Sequence, residues 1–388
     1  MNAHNLTRRG ALGAAGAMVA GALGRSAPAP ASMPPPSAMK RQEAQRAVMA
    51  PRAELVNTLE YEEQAKRILA PAVFAHIAGG ERASFDRITL RPRQLVPTLD
   101  MDLGVTLFGD RLFAPVVVGP IADQRRFHAD GEVATVRGAS AAKAVMVVSS
   151  RSSVPLQEIA AQAGATLWYQ VFASDPAARA QIQDAIDARC RAICITVGAV
   201  PPIGGARGVA TVAKVDWSAV AALKRTSRVP VMVKGIATPE AAKLALEQGV
   251  DGIVVSNYGG LAGSRTEALI LALPKIVDAV AGRAPVLVDG SFRRGTDILK
   301  ALAFGAQSVL VGRPAMWGLA AYGADGVQGV VEMLQTELAR YMGMCGKSNL
   351  KILDRTVLKV HGVPATKGPS RGPLSRPAGP GLEGAARG

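Results

Sequence analysis

The sequence predicts an α/β fold, a closed (β/α)8 barrel (TIM barrel) with an N-terminal helical cap, within residues 58–362. Three observations predict it: eight short apolar runs of β-forming residues, helical patterns between them, and polar residues where the runs end. Both faces of each run are apolar, as strands buried in a parallel sheet require. Eight such units alternating with helices favour a closed barrel over an open sheet. The runs are 115–121, 144–150, 166–172, 192–198, 229–235, 252–258, 284–290 and 308–314.

The N-terminus precedes this repeat and resembles a Tat-type export signal over residues 1–31. Arg8 and Arg9 stand before an Ala/Gly-rich apolar run, and the small residues before Ala31 are spaced for peptidase cleavage. The run is too short and too rich in glycine for a stable membrane span. An ordinary Sec signal or a loose N-terminus is the alternative. Export to the periplasm or the cell exterior is therefore expected, with residues 32–57 as a Pro/Ala-rich linker.

The segments on either side of the barrel strands predict a cap and a tail. From Thr58 the apolar spacing predicts a pair of amphipathic helices that ends at Gly79–Gly80 and caps the barrel. Short extended segments are predicted within residues 90–113. The final helices are expected from about Gly326 to Leu358, and the Pro/Gly/Ser/Arg-rich tail 363–388 is predicted to be disordered.

The composition of the 388 residues limits the function classes. Hydrophobic residues make up 49% and aromatic residues only 4%, so small aliphatic residues must fill the core. The formal net charge is +15, but no nucleic-acid recognition motif accompanies it, and an anionic cofactor or substrate explains the charge as well. Cys190, Cys194 and Cys345 form no CxxC pair, which favours packed core thiols over disulfides or a metal site.

Polar residues collect where the predicted strands end, and barrel enzymes place their active sites there. The segment 284–314 is the most informative, because its two apolar runs end in Asp289-Gly290 and Gly312-Arg313, with a basic turn at Arg293 between them. Free backbone N–H groups at such turns, with arginines beside them, form a phosphate cradle. The other polar residues at strand ends are Ser149, Gln170, Thr196, Lys234 and Ser256.

Residues from about 58 to 358 resemble the FMN-dependent α-hydroxy-acid oxidases and dehydrogenases, the glycolate and lactate oxidase group. The matching segments occur in the family's order: GPIADQRRFHADGE, VVSS, YQVF, ITV, VPVMVKGIAT, GIVVSNYGG, PVLVDGSFRRGTDILKALAFGA and VLVGRP. The resemblance implies FMN at the C-terminal mouth of the barrel and a small-molecule substrate. A homo-tetramer is expected from the family's common assembly.

The resemblance also implies a nearly intact set of FMN-binding residues. Ser291 stands where the family usually has glycine, and the charge of Lys234 would favour an anionic reduced flavin. The assigned residues are Pro120, Ile121 and Ala122 along the isoalloxazine ring, Ser149, Gln170 and Thr196 at its pyrimidine edge, Lys234 near N1 and the C2 oxygen, Ser256 and Asp289 on the ribityl side, and Ser291, Arg293, Gly312 and Arg313 around the phosphate.

The substrate side departs from the family pattern SNHGxR, in which the histidine removes the substrate's proton and the arginine grips its carboxylate. Tyr258 and Leu261 stand at these two positions. A tyrosine with a pKa near 10 is a poor base at neutral pH, and the loss of this arginine removes a planar, bidentate anchor for the carboxylate. The other departures are Gly198 for the orienting aspartate, Phe172 and His76 for two tyrosines, Arg151 for an aromatic residue, and Arg207 as a displaced second arginine.

The sequence therefore predicts an FMN-dependent oxidoreductase acting on CH–OH or related CH–NH donors, with an altered substrate or weak activity. The candidate catalytic residues are Tyr258, Lys234, Arg151 and His76, and no metal is expected. Two alternatives stay open: a catalytically inactive flavin-binding protein, and a barrel that binds another phosphate compound. The shortened loop after the fourth strand predicts an open active-site mouth.

Overall fold

Eight parallel strands form a closed barrel in the computed structural model of the chain, which describes residues 49–93, 95–198, 215–257 and 268–362. The strands follow the chain order round the ring, and the eighth pairs with the first to close it. The predicted (β/α)8 barrel is thus confirmed. The strands are β1 Val116–Val118, β2 Met146–Ser149, β3 Leu167–Phe172, β4 Ala192–Thr196, β5 Val231–Ile236, β6 Gly252–Val255, β7 Val286–Asp289 and β8 Ser308–Val311.

Helices precede, connect and follow these strands. Local sequence explains where several of them begin: the side chain of Asp216 caps one helix by accepting from Ala219 N (3.1 Å), and Thr238 caps the next ahead of Pro239. The helices are α1 Thr58–Ile68, α2 Pro71–Phe74, α3 Ala83–Asp86, α4 Gly131–Ala141, α5 Leu156–Ala161, α6 Ala178–Asp187, α7 Trp217–Thr226, α8 Pro239–Glu247, α9 Leu269–Val280, α10 Gly295–Ala303 and α11 Arg313–Met344.

A short hairpin closes the N-terminal end of the barrel. Its strands, Val105–Leu107 and Asp110–Leu112, place Leu107 and Leu112 in the same apolar cluster as the lumen residues of the barrel. Phe108 packs edge-on against Trp168 with ring centroids 5.4 Å apart. The C-terminal end of the barrel is therefore the end at which polar residues can form a site. The hairpin also confirms the extended pieces predicted before the barrel.

The end of the chain differs from the sequence-based expectation. Helix α11 begins at Arg313, directly after β8, rather than near Gly326, and it is interrupted at Tyr322 and Gly323, where the φ of Gly323 is 59°. The interruption brings two glycines together, because a Cβ on Gly318 would lie 2.3 Å from the carbonyl oxygen of Gly326. Periodicity alone marks only the second half of this helix.

The three cysteines are buried and unpaired, as the sequence predicts. Burial raises the pKa of the Cys190 and Cys194 thiols to about 12, so they are chemically inert packing residues. Across the described part of the chain, no group of three or more His, Cys, Asp and Glu residues is placed to hold a metal ion. The same ranges contain no helix that is both long and apolar enough to span a membrane.

Candidate active site at the C-terminal mouth of the barrel

The turn after β7 carries two successive residues in the left-handed region of backbone space. Gly290 has a φ of 108° and Ser291 a φ of 62°. The carbonyl oxygen of Ser291 accepts from Arg82 Nη1 at 2.6 Å, and Arg82 also pairs with Asp297 at 2.5 Å. Arg82 thus fixes the turn from the cap side, a contact that the sequence did not reveal. The positive φ explains why glycine suits position 291 better than serine.

Replacing Ser291 by glycine is expected to raise the free energy of unfolding by about 1 kcal/mol, because a non-glycine residue in this conformation is strained. Ser291→Ala is the matched control: it keeps the strain and removes only the hydroxyl that accepts from Arg313 Nη2 at 3.3 Å. Urea unfolding of the FMN-free chain measures both variants. An equal midpoint for the glycine variant and the wild type would show that the turn is unstrained.

Two arginines meet beside this turn at a backbone carbonyl of the cap. Arg293, only 3% exposed, donates from Nη2 to the carbonyl oxygen of Gly79 at 2.8 Å and from Nη1 to that of Phe292 at 2.9 Å. Arg313 donates to the same Gly79 oxygen. Burial, and then the charge of Arg313, lower the pKa of Arg293 to about 9. Two like charges that meet at one carbonyl oxygen, with Arg293 buried and Arg313 partly exposed, favour an anion, and a phosphate ester suits two guanidinium groups.

Lys234, Asp289 and Ser256 come together from three neighbouring strands. The Lys234 side chain is 4% exposed, and its Nζ lies 2.6 Å from Asp289 Oδ2. It also donates to Ser256 Oγ at 3.0 Å. The lysine rises from within β5, the aspartate ends β7, and the serine directly follows β6. The barrel therefore holds one cation at its mouth in a fixed position.

The ends of β2, β3 and β4 bring together the other polar residues that the sequence predicts. Ser149 Oγ donates to Gln170 Oε1 at 3.0 Å, and Thr196 is buried where β4 ends. Gln170 Nε2 is buried and has no hydrogen-bond partner among the described residues. An orphan amide donor is costly unless a ligand supplies an acceptor. A carbonyl on the pyrimidine edge of a flavin would satisfy it.

The turn after β1 packs against Gly312, which lies beside the turn after β7 (residues 290–293, the phosphate turn). Pro120, Ile121 and Ala122 follow the strand, and a Cβ on Gly312 would lie 3.0 Å from Ile121 Cδ1. The turn is fixed from below, where Gln124 Nε2 donates to the Ile121 carbonyl oxygen at 3.2 Å. The residues assigned to the isoalloxazine ring, to its pyrimidine edge and to the phosphate thus share one mouth, and the residues present fit FMN.

Buried Glu132 is a structural residue of this mouth that no sequence pattern indicates. Its Oε1 accepts from Gln124 N at 3.1 Å and from Ser153 N at 2.9 Å, so it ties the loop after β1 to the loop after β2. A glutamate at the start of a helix reads as a helix-capping residue in the sequence. Only the fold shows that the two loops depend on it.

On the substrate side, His76 contacts Arg126 rather than standing alone. His76 Nδ1 faces the carbonyl oxygen of Ala72 at 2.8 Å, so Nδ1 carries the proton, and Nε2 accepts from Arg126 Nη2 at 3.3 Å. Arg126 Nε lies 3.7 Å from Asp123 Oδ2. The predicted catalytic residue His76 therefore has its basic nitrogen engaged by a cation. The sequence did not identify Arg126 as part of this group.

Arg151 lies close to the pyrimidine-edge residues. Its backbone N donates to Ser149 Oγ at 3.1 Å, and its Nη2 lies 3.8 Å from Asp175 Oδ2. Phe172 is buried at the end of β3. The predicted residues Tyr258, Leu261 and Arg207, and with them the loop after β4, lie outside the described residues, so the role of Tyr258 and the open mouth stay predictions.

Comparisons with known proteins agree with this arrangement. The sequence pattern of the FMN-dependent dehydrogenase family matches residues 65–211 and 206–360. The chain is 34% identical over 353 residues to a peroxisomal (S)-2-hydroxy-acid oxidase from Oryza sativa subsp. japonica, covering 79% of this chain and 96% of that protein. It is 35% identical over 357 residues to an L-lactate oxidase from Nostoc sp., covering 78% and 98%.

A similar solved structure is that of mandelate oxidase with (S)-2-phenylpropionate, at 35% identity and a TM-score of 0.72. It covers 80% of this chain and all of that chain. The shared barrel, the phosphate turn and the extent of these matches point to one conclusion. The chain belongs to the FMN-dependent α-hydroxy-acid oxidase and dehydrogenase family, as an oxidoreductase with FMN as its cofactor.

Proposed function

We propose that this chain is an FMN-dependent oxidoreductase that does not oxidise short 2-hydroxy acids at an appreciable rate. The replacement of the family's histidine and arginine by Tyr258 and Leu261 carries the proposal. The cofactor side keeps its charged and polar residues, whereas the substrate side has lost its base and its carboxylate anchor. Among the described residues, His76 is the histidine proposed as a catalytic residue. Its Nε2 is hydrogen-bonded to Arg126, so it does not replace the missing base.

The described residues support cofactor binding and charge stabilisation. FMN, when bound, supplies the acceptor for the hydride that leaves the substrate. Arg293 and Arg313 would hold the phosphate, while Ser149 and Gln170 would position the pyrimidine edge. Lys234, fixed by Asp289, would place positive charge beside N1, where reduction builds negative charge. The substrate is then a different alcohol or an amine that does not need the lost histidine–arginine pair.

Glycolate, L-lactate and (S)-mandelate are expected not to bleach the flavin of the FMN-loaded chain on a timescale of seconds. Anaerobic stopped-flow absorbance measures this, with dithionite as the control that the flavin can be reduced. The variant Y258H/L261R is expected to accelerate bleaching by L-lactate, because a positioned general base contributes roughly 100- to 10,000-fold. Rapid bleaching of the unmodified chain would refute the proposal.

One observation favours a second candidate, a flavin-binding protein without turnover: among the described residues Arg126 engages the lone pair of His76, and a tyrosine stands at position 258 where the family has its histidine. A panel of larger alcohols and amines separates the two. Reduction by any member supports the enzyme, and its absence across the panel supports the binding protein.

We also propose that the N-terminal signal exports the chain. Fractionation of cells that produce the wild type or the variant R8K/R9K tests this proposal.

A further inference from the structure

We propose that Arg126 and Arg151 form an anion clamp that binds a carboxylate group of the substrate beside the flavin. The inference rests on the proposed function, because it supplies the anchor that Leu261 cannot provide. Both guanidinium groups belong to loops at the mouth of the barrel, Arg126 after β1 and Arg151 after β2. Nothing in the family pattern described above assigns a substrate anchor to either position.

The two loops form one connected unit. Asp123 N donates to the carbonyl oxygen of Arg151 at 2.9 Å, which brings the backbone before Arg126 against that of Arg151. Buried Glu132 holds both loops from below through its bonds to Gln124 N and Ser153 N. A clamp built on this unit keeps its spacing without help from the substrate, as a preorganised site must.

The guanidinium group of Arg151 has hydrogen-bonding capacity to spare. Its side chain is 31% exposed, and the Asp175 carboxylate at 3.8 Å is too distant for a hydrogen bond. Its Nε is buried without a hydrogen-bond partner in the ranges that the structure describes. A guanidinium offers five N–H donors in a planar fork, and an unpaired buried donor is unfavourable. A ligand oxygen at this place would remove that cost.

Arg126 also has donors that the described residues do not use, although none of them is buried and unpartnered as Arg151 Nε is. Its side chain is 26% exposed, Asp123 lies 3.7 Å from its Nε, and its hydrogen bond to His76 uses Nη2. The two aspartates are near enough to orient the guanidinium groups but leave most of their donors unused. His76 then acts as a positioning residue for Arg126 rather than as a base, which gives this predicted residue a role.

The clamp lies next to the cofactor residues. The backbone N of Arg151 is bonded to Ser149 Oγ, which in turn is bonded to the Gln170 amide. On the other loop, Asp123 directly follows Ala122, a residue assigned to the isoalloxazine ring. A carboxylate held here would place the rest of a small molecule over the flavin.

The chemistry of the clamp favours a carboxylate. A planar guanidinium fork matches the two oxygens of a carboxylate, and two forks can hold them from two sides. The charges of Arg126 and Arg151 are balanced by Asp123 and Asp175, so the site suits a monoanion better than a dianionic phosphate. The expected substrate is therefore a carboxylic acid whose reacting alcohol or amine need not be adjacent to the carboxyl group.

The test uses the FMN-loaded chain and the flavin absorbance difference spectrum that ligands produce. Acetate, phenylacetate and 3-phenylpropionate are titrated beside their neutral amides. The carboxylates, but not the amides, are expected to perturb the spectrum. Arg151→Gln and Arg126→Gln are each expected to raise the carboxylate Kd by roughly tenfold or more. Arg151→Lys keeps the charge but loses the planar guanidinium fork. Its carboxylate Kd is expected to lie between those of the glutamine variants and that of the wild type.

Arg225→Gln is the matched control, because Arg225 is an exposed arginine in the last turn of α7, at the end of the barrel opposite the mouth. It is expected to leave the Kd unchanged. Equal FMN content and thermal midpoints across the variants exclude misfolding as the cause. Wild-type affinity in the Arg151 and Arg126 variants, equal binding of amides, or no carboxylate binding at all would overturn the clamp. Bleaching by lactate would instead refute the proposed function, whatever the Kd series shows.

Discussion

Replacing Arg293 by methionine is expected to weaken FMN binding by about 100- to 1,000-fold, because Arg293 is proposed to bind the phosphate and the variant would lose a buried, charge-assisted contact. The FMN-free chain should lose little stability. The pKa of Arg293 is lowered to about 9 by burial and by Arg313, so its charged form is disfavoured in the fold. Charged Arg293 therefore destabilises the fold fully below pH 9. This destabilisation decreases as the pH rises towards the pKa of arginine in the unfolded chain. Methionine removes it together with the hydrogen bonds to Gly79 and Phe292.

The neighbouring Arg294 offers the matched control. Its Nε donates to Glu337 at 2.8 Å, on α11 rather than in the phosphate turn. Arg294→Met is expected to lower the thermal midpoint, since it leaves Glu337 without its cation, while the FMN affinity stays close to that of the wild type. Quenching of FMN fluorescence gives the affinities. Unchanged affinity in the Arg293 variant would mean that the phosphate lies elsewhere.

Inorganic phosphate extends this test to the FMN-free chain. It should raise the thermal midpoint of the wild type, because an anion between Arg293 and Arg313 offsets their repulsion. The same concentration of chloride should not do so, and the Arg293 variant should respond less to phosphate. Equal midpoint shifts in the variant and the wild type would remove the arginine pair as the cause.

The barrel could be predicted from the sequence because its signals are local. Each strand is a short apolar run, and each residue assigned to the phosphate lies within a few residues of a glycine turn. Gln170 and Lys234 are likewise placed by the strands that carry them, so the fold brings them to one mouth once the strand order is known. Residues whose position follows from a single strand or turn are the ones that a sequence can place.

Long-range contacts could not be predicted in this way. The Gly79 carbonyl meets Arg293 across 214 positions of the chain, and Arg82 meets Asp297 across 215. The contact between His76 and Arg126 depends on where the cap helices dock and on the left-handed backbone of Asp123, with a φ of 51°. No periodicity or motif encodes such pairs, on the phosphate side or on the substrate side of the site.

Replacing Lys234 by methionine is expected to lower the free energy of unfolding of the FMN-free chain by about 3–5 kcal/mol, because it leaves Asp289 charged and without its ion pair. Among the described residues, Lys234 is the only cation paired with Asp289. The double variant K234M/D289N should therefore lose less free energy of unfolding than the two single variants lose in sum. Urea unfolding of the four proteins gives the coupling energy, which is expected to exceed about 2 kcal/mol.

A second pair in the same fold shows whether burial is the cause. Lys224 and Asp251 lie 2.5 Å apart, but their side chains are 24% and 39% exposed. Solvent screens such a pair, so its cycle, K224M and D251N, is expected to give a coupling of at most about 1 kcal/mol. Similar couplings in both cycles would mean that water reaches Lys234. That lysine could then not provide a desolvated positive charge beside the reduced flavin, and its assigned role would fall.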